Sequence, residues 1–237
     1  MSNNSGTLYL IPTTLGEVDP IATIPAKVYA VINEIDEYFV ENEKWARHYL
    51  KKLGIKKPLP EIKLHLLNKH TETSGLSECM KSLMEGKNMG IISEAGCPGI
   101  ADPGAEVVKL AHQKNIKVIP LVGPSSLLLA LMASGFNGQS FAFQGYLPID
   151  RGERVRKIKE LERIVQTQNQ TQLFIETPFR NNHLLEDLLK NCAGQTLLCV
   201  AVDISLPTEM IKTKSIADWK KEIPDLHKRP CIFLLYK

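Results

Sequence analysis

The sequence has few of the features that mark several common protein classes. Its five cysteines, at 79, 97, 192, 199 and 231, include no pair with CxxC spacing. Neither a zinc site nor a disulfide framework is therefore indicated. The six histidines also lack the spacing of ligands, and we expect no metal. No apolar run approaches the roughly 20 residues that cross a bilayer, and the start, MSNNSG, has no apolar signal core. We expect a cytoplasmic protein with free thiols and no membrane partner.

The charge balance is close to neutral. The 237 residues carry a formal net charge of +3, which is too small to indicate a nucleic-acid-binding protein and does not exclude one. With 43% hydrophobic and 23% charged residues, the composition is that of a globular protein rather than a disordered one. The length suits one large domain or two small ones.

The first half of the chain alternates between short apolar runs and segments with helical periodicity. We predict strands at 8–12, 37–41, 62–67, 89–93 and 117–122. Helices are predicted between them, at 21–35, 43–53, 75–85 and 104–114. This order, with nearly continuous apolar strands, predicts an α/β domain with a parallel sheet. Such sheets bind ligands at the carboxyl ends of their strands.

The pattern changes after residue 124. GPSSLLLALMASG predicts a short helix that is apolar on nearly every side and is therefore buried. Further helices are predicted at 151–168, where Val155, Ile158, Leu161 and Val165 form the buried stripe, and at 178–191. Strands are predicted at 141–148, 172–177, 197–203, 210–215 and 231–236. The close spacing of the last strands predicts a mixed sheet, and we place a domain boundary near 122–125, giving domains 1–122 and 123–237.

Three loops rich in glycine, proline and hydroxyl residues each follow a predicted strand. They are SEAGCPGIADPG (93–104), LVGPSS (121–126) and IPTTLG (11–16). Stiff loops with small side chains let a ligand lie against main-chain groups. One such loop alone favours a simple tight turn, since no GxGxxG or GxxxxGK motif occurs. Three of them favour a ligand site at one rim of the sheet.

Asp102 and Pro103 have a local interpretation as well. An aspartate followed by proline is typical of an N-cap and the first helical position. We therefore expect Asp102 to cap the helix that follows rather than to act on a ligand.

The ordered set of segments resembles the tetrapyrrole (corrin/porphyrin) methylase family, the class III S-adenosylmethionine methyltransferases. Within it, the set is most like the ribosomal RNA small subunit methyltransferase I branch. The matching segments are LYLIPTTLG (8–16), SEAGCPGIADPG (93–104), VGPSS (122–126), FQGYLP (143–148) and LFIETPFR (173–180). The resemblance covers almost the whole chain, and the ordered set is specific where any single piece would not be.

The resemblance implies two α/β domains with S-adenosylmethionine in the cleft between them, and commonly a homodimer. It implies cofactor-binding roles for Gly96, Pro98, Ile100, Ala101, Ser125, Ser126, Thr177 and Ala201. It also implies that Pro12 and Gly16 lie on the substrate side of the first loop. Arg180 is a candidate phosphate clamp, and a surface ion pair is an equal alternative.

The chain departs from the branch after its second strand. Where the branch has EDTR, this chain has Glu41-Asn42-Glu43-Lys44. The candidate bases or substrate-positioning groups are Glu41, Glu43, Lys44 and Glu94, with Asp102 as the weaker candidate noted above. Glu43 and Lys44 are also typical of a solvated helix start.

The function that the resemblance implies is S-adenosylmethionine-dependent methylation, with a 2′-O position of small-subunit ribosomal RNA as the expected acceptor. A ribose hydroxyl needs a base because its pKa lies far above neutrality. The expected partners are ribosomal RNA or the small ribosomal subunit.

The basic run RHYLKKLGIKK (47–57) could follow a phosphate backbone, although lysines near a helix end also suit the dipole. Two alternatives remain open: a corrin or porphyrin precursor as acceptor, and a cofactor-binding homologue without turnover, which the ENEK replacement would support.

Overall fold

The structure, a computed structural model, describes residues 5–67 and 78–237. The chain divides into two compact units, 1–125 and 126–237. Within the described ranges, no helix combines the length and the apolar character needed to cross a membrane. The five cysteines are free, as expected, and three of them are buried.

The first unit contains the predicted parallel sheet. Its described strands are β1 (Thr7–Ile11), β2 (Glu37–Val40), β3 (Lys63–Leu66), β4 (Met89–Ile92) and β5 (Lys117–Pro120). They are ordered β3-β2-β4-β1-β5, and every pair is parallel. All residues of β2 and β4 are buried, as near-continuous apolar strands in a covered sheet require. This confirms the predicted fold class of the N-terminal half.

Helices flank this sheet. The described α-helices are α1 (Ala26–Ile32), α2 (Glu43–Lys52), α3 (Lys81–Met84) and α4 (Ala105–Gln113), with single 3₁₀ turns at Pro20–Ala22 and Leu59–Glu61. The prediction of one continuous helix at 21–35 is wrong. Pro25 stands immediately before α1, and a residue that precedes proline is disfavoured in helical conformation. Part of the helix predicted at 75–85 lies outside the described residues.

The prediction that Asp102 caps a helix is wrong. Helix α4 begins at Ala105, and the cap position is Gly104, with a φ of 133° and no side-chain hydrogen bond. Gly99 and Ala101 also have positive φ values. The loop therefore turns further before the helix begins, which leaves the Asp102 carboxylate free for other contacts.

The second unit contains the predicted mixed sheet. Its strands are β6 (Phe141–Tyr146), β7 (Thr171–Ile175), β8 (Leu197–Val202), β9 (Met210–Ser215) and β10 (Cys231–Tyr236). Their order is β6-β7-β10-β8-β9, in which β6 and β7 pair in parallel and the other pairs are antiparallel. The helices of this unit are α5 (Ser126–Ser134), α6 (Arg151–Gln168), α7 (Asn181–Asn191) and the short α8 (Ile216–Trp219).

Helix α6 packs largely as its apolar stripe predicts. Ile158, Leu161 and Val165 are buried, and Val155 is half-buried. Arg154 is also buried, because its guanidinium binds Asp187 of α7, with Nη2 donating to Oδ2 at 2.7 Å. A sequence pattern on one helix does not reveal a partner on another.

Helix α5 is less buried than its composition predicts. Ala130 and Leu131 are buried, but Leu128 and Met132 are 52% and 78% exposed. The prediction of a helix buried on nearly every side is therefore wrong. The helix packs one face on strands β9 and β10, and positions 128 and 132, one turn apart, form an exposed apolar pair.

Candidate functional site

The strand order places the three predicted loops side by side. Strand β1 lies between β4 and β5, and the loops 11–16, 93–104 and 121–126 follow these three strands. Because all three strands are parallel, their carboxyl ends share one edge of the sheet. The loops therefore emerge next to each other, as the sequence pattern predicted.

Hydrogen bonds join these loops directly. The N–H of Thr13 donates to the carbonyl of Gly96 at 2.9 Å. The thiol of Cys97 donates to the carbonyl of Pro124 at 3.4 Å. The middle loop is thus bonded to both of the others.

Two glycines are required by this packing. A Cβ at Gly123 would lie 2.1 Å from the Cβ of Pro12, so only glycine allows the third loop to approach the first. Gly96 has a φ of 72°, a conformation that other residues adopt with strain. The glycines of the motifs therefore serve close approach between loops as well as turning.

Two hydroxyls at this rim lack a partner. Thr13 Oγ1 and Ser93 Oγ are buried and find no hydrogen-bond acceptor or donor among the described residues. A buried polar group without a partner is costly unless a ligand or water satisfies it. The rim therefore fits a polar ligand such as S-adenosylmethionine, bound through main-chain groups and small side chains.

The cofactor-binding residues predicted in the first unit are placed as follows. Gly96 and Pro98 are buried, and Ser125 is half-buried, at the junction of the three loops. Ile100 and Ala101 are exposed, farther along the same loop. Their roles in binding the cofactor stay predictions.

The remaining predicted cofactor residues lie in the second unit. Ser126 is the first residue of α5. Thr177 follows β7, is half-buried, and donates its N–H to the Glu176 carboxylate at 2.6 Å. Ala201 is fully buried within β8. Their roles also remain predictions.

The residues predicted on the substrate side differ in their surroundings. Pro12 is buried, and its carbonyl accepts the Tyr49 hydroxyl at 3.4 Å. Gly16 is half-buried and lines a groove described below. Arg180 donates Nη2 to Glu176 Oε1 at 2.7 Å, and the Glu176 side chain is buried. Arg180 is therefore held in an ion pair, and the partner is buried rather than on the surface.

Three carboxylates gather beside the loops. Glu41 follows β2, the strand next to β4, and faces Glu94 and Asp102 from the long loop. Burial and the charges of Asp102 and Glu94 raise the pKa of Glu41 to about 7. Burial and Glu94 also raise the pKa of Asp102. Oε1 of Glu41 is buried and has no hydrogen-bond partner among the described residues, so it can accept a proton.

The other two candidate bases face water. Glu43 and Lys44 are exposed in the first turn of α2, and Glu43 lies 4.0 Å from Arg47. Asn42 caps this helix, because its Oδ1 accepts the N–H of Trp45 at 3.1 Å. Asparagine and aspartate cap equally well, so the ENEK sequence retains both the leading glutamate and the cap.

Sequence reasoning missed a groove of about 100 Å³ between the first loop and α2. Trp45, His48, Tyr49 and Lys52 line one side of it, and Gly16 lines the other. Trp45 and Tyr49 stack with their centroids 5.1 Å apart and their planes at 14°. Their spacing of four residues on a predicted helix was the signal that could have revealed this pair.

The chain resembles known proteins in sequence and in structure. No family model matches it. The ribosomal RNA small subunit methyltransferase I of Pasteurella multocida is 28% identical over 238 residues, which is 99% of this chain and 80% of that protein. The protein of the same name from Vibrio cholerae is 28% identical over 99% of this chain and 78% of its own length. That of Halalkalibacterium halodurans is 31% identical over 79% of this chain and 61% of its own length.

Two solved structures share the fold. The methyltransferase CobJ superposes with a TM-score of 0.64 at 17% identity, covering 98% of this chain and 95% of CobJ. The cobalamin biosynthetic enzyme cobalt precorrin-4 methyltransferase, CbiF, superposes with a TM-score of 0.60 at 14% identity, covering 97% and 94%.

The chain is a methyltransferase that shares its fold with CobJ and CbiF. In sequence it is a homologue of the proteins named ribosomal RNA small subunit methyltransferase I. The predicted resemblance is thereby confirmed.

Proposed function

We propose that this protein transfers a methyl group from S-adenosylmethionine to a ribose 2′-hydroxyl of small-subunit ribosomal RNA. The names of its relatives support small-subunit ribosomal RNA as the substrate. The observation that carries the proposal is the position of Glu41, whose pKa is raised to about 7, beside the three joined loops. Such a site can bind a methyl donor at the three loops and holds a base beside it.

Main-chain groups and small side chains would hold the donor. The loop containing Gly96 and Pro98 would lie against it, and the unpartnered hydroxyls of Thr13 and Ser93 would bond its polar atoms. Bound there, S-adenosylmethionine supplies an electrophilic methyl group on a sulfonium. The contribution of the protein is then to align the acceptor oxygen with that carbon and to exclude water.

Glu41 would act as the base. Its carboxylate takes the proton of the ribose hydroxyl as the oxygen–carbon bond forms and the carbon–sulfur bond breaks. A pKa of about 7 suits this role, because a base is most effective when its pKa lies near the working pH. Glu94 and Asp102 contribute by keeping that pKa high.

The alternative of a corrin or porphyrin acceptor is supported by the fold shared with CobJ and CbiF, at 17% and 14% identity. The relatives at 28% identity are named for ribosomal RNA, and RNA is therefore the acceptor that we propose. The alternative without turnover depended on the ENEK replacement. That alternative is weakened because Glu41 and a working cap at Asn42 are both present.

A homodimer is the assembly that we propose, in the cytoplasm. Its support is the exposed apolar pair Leu128 and Met132 on α5, which a second copy could cover. We expect sedimentation to give a dimer for the wild type and a monomer for the double variant Leu128→Lys, Met132→Lys. A monomeric wild type at micromolar concentration would contradict the assembly.

The test of the reaction is transfer of tritiated methyl groups to small ribosomal subunits purified from a strain that lacks the gene. We expect the wild type to label the ribosomal RNA, with the label at a 2′-O-methyl nucleoside after digestion. Glu41→Gln should lower the rate by about 100-fold or more. Glu43→Gln, two residues away and exposed, is the matched control. No labelling by the wild type, with a second methylase active on the same subunits, would refute the proposal.

A further inference from the structure

The groove is lined by α2, by the first loop and by the start of the long loop at Glu94 and Ala95, so it borders both the proposed donor site and the acidic cluster. Glu94 lines the groove and also faces Glu41, whose pKa it helps to raise. A ligand in the groove therefore lies one side chain away from the proposed base.

The aromatic wall of the groove is fixed before any ligand binds. Tyr49 is buried, and its hydroxyl donates to the carbonyl of Pro12, which anchors the ring to the first loop. Trp45 stacks on Tyr49 and remains only half-buried. An aromatic ring that is anchored from behind and partly open offers a rigid surface for stacking.

The rest of the groove carries charges of both signs, with the carboxylates of Glu17 and Glu94 on the loop side and cations on α2. His48 and Lys52 line it from the same helix, and Lys52 is held by Glu17 at 3.1 Å. Lys44 and Lys51 are exposed on α2, and no ion pair within 4.0 Å is found for either in the described part of the chain. The helix thus presents a flat aromatic surface beside free positive charge, a combination typical of single-stranded nucleic-acid binding.

We propose that this groove binds one unpaired nucleobase of the RNA substrate, stacked on Trp45, with α2 lysines beside the adjoining phosphates. The proposal rests on the proposed function, since it assigns a subsite to that reaction. A volume of about 100 Å³ suits a single flat base and is far below the size of a pocket for a large ligand. The base in the groove would orient its neighbouring ribose toward Glu41.

Tryptophan fluorescence offers a direct test. The chain has two tryptophans, and Trp219 is buried with its indole N–H donating to the Leu198 carbonyl at 2.8 Å. Trp45 is therefore the residue whose emission a stacked base would quench. The full-length protein, saturated with S-adenosylhomocysteine, is titrated with single-stranded hexauridylate and hexaadenylate. Fluorescein-labelled copies of the same oligonucleotides give affinities by anisotropy.

We expect quenching in the wild type that disappears in Trp45→Phe, while Trp45→Phe still binds because a phenyl ring also stacks. Trp45→Ala should lower the affinity at least about fivefold. Lys52→Ala should also weaken binding, whereas Lys221→Ala, which removes a lysine held by an aspartate at 2.8 Å in the second unit, should not. If Trp45→Ala fails to fold, loss of quenching in Trp45→Phe together with weaker binding by Lys52→Ala supports the groove.

The subsite and the reaction can fail separately. Unchanged affinity in Trp45→Ala and no quenching in the wild type, with normal methylation of subunits, would overturn the groove and leave the reaction standing. Quenching and weakened binding as expected, without any methyl transfer by the wild type, would support the groove and refute the reaction. In an active enzyme, Trp45→Ala should raise KM for subunits more than it lowers kcat.

Discussion

Thr13 and Gly96 are far apart in the sequence, yet the N–H of Thr13 donates to the carbonyl of Gly96 at 2.9 Å. This bond crosses from the strand end of β1 to that of β4, which are neighbours in the sheet. It makes two glycine- and proline-rich loops into one surface. The third loop joins them through Cys97 and through the contact of Gly123 with Pro12.

Replacing Gly123 by alanine should separate the loops. The added Cβ would overlap Pro12, so the third loop must move. We expect a loss of about 1–3 kcal/mol in the free energy of unfolding and weaker binding of S-adenosylhomocysteine by calorimetry. Gly138→Ala is the control, since its Cβ would meet nothing within 4 Å. Equal behaviour of the two variants would contradict the packing described here.

Asn42 should matter as a helix cap and not as a catalytic group. Asn42→Ala removes the acceptor for the Trp45 N–H, and we expect a loss of about 1 kcal/mol in urea denaturation. Asn42→Asp introduces the aspartate of the EDTR pattern that the resemblance implies and keeps the cap, so its stability should match that of the wild type within about 0.5 kcal/mol. A large gain in methylation rate by Asn42→Asp would show that the replacement affects catalysis.

Glu41 should make stability depend on pH. Its pKa is raised from 4.5 to about 7 in the folded protein, so the folded state retains a proton that the unfolded chain has lost. The stabilisation that protonated Glu41 gives to the folded state is therefore fully present below about pH 4.5 and is lost as the pH rises through 7. Glu41→Gln should be more stable than the wild type at pH 8, by on the order of 1–3 kcal/mol, with the advantage shrinking toward pH 5. The measurement is a series of thermal melts of both proteins between pH 5 and pH 8. A stability difference between them that stays constant over this range would contradict the raised pKa of Glu41.

The buried ion pair between Arg154 and Asp187 should be sensitive to removal of one partner. Asp187→Ala leaves the Arg154 guanidinium buried without its carboxylate, and we expect a loss of about 3–5 kcal/mol in unfolding free energy. Glu186→Ala, the neighbouring residue, breaks an exposed pair with Lys190 at 3.4 Å and should cost less than about 1 kcal/mol. Similar losses for both variants would contradict the assigned burial.

Much of the fold could be predicted from the sequence because its strands are short apolar runs with clear ends. Helix α6 was predicted with its observed bounds, 151–168, and strands β9 and β10 likewise. The break before α1 required attention to Pro25, and the start of α4 depended on positive φ values that the sequence does not specify. The exposure of Leu128 and Met132 depends on what covers α5, which composition does not reveal.

The candidate site could likewise be predicted only in part. The three loops could be placed together because parallel strands share one edge for their carboxyl ends. The raised pKa of Glu41 could not be predicted, because it arises from burial in the folded chain and from the charges of Asp102 and Glu94 on a separate loop. The groove at Trp45 was missed for a similar reason: one wall comes from α2 and the other from the first loop.

Ultraviolet cross-linking of methyl-tritiated S-adenosylmethionine, followed by peptide mapping, tests most directly whether the joined loops hold the methyl donor. We expect label in peptides that contain residues 11–16, 93–104 or 121–126, and we expect S-adenosylhomocysteine to compete it away. Label confined to other peptides, such as those of α6, or label that the competitor leaves unchanged, would contradict the account.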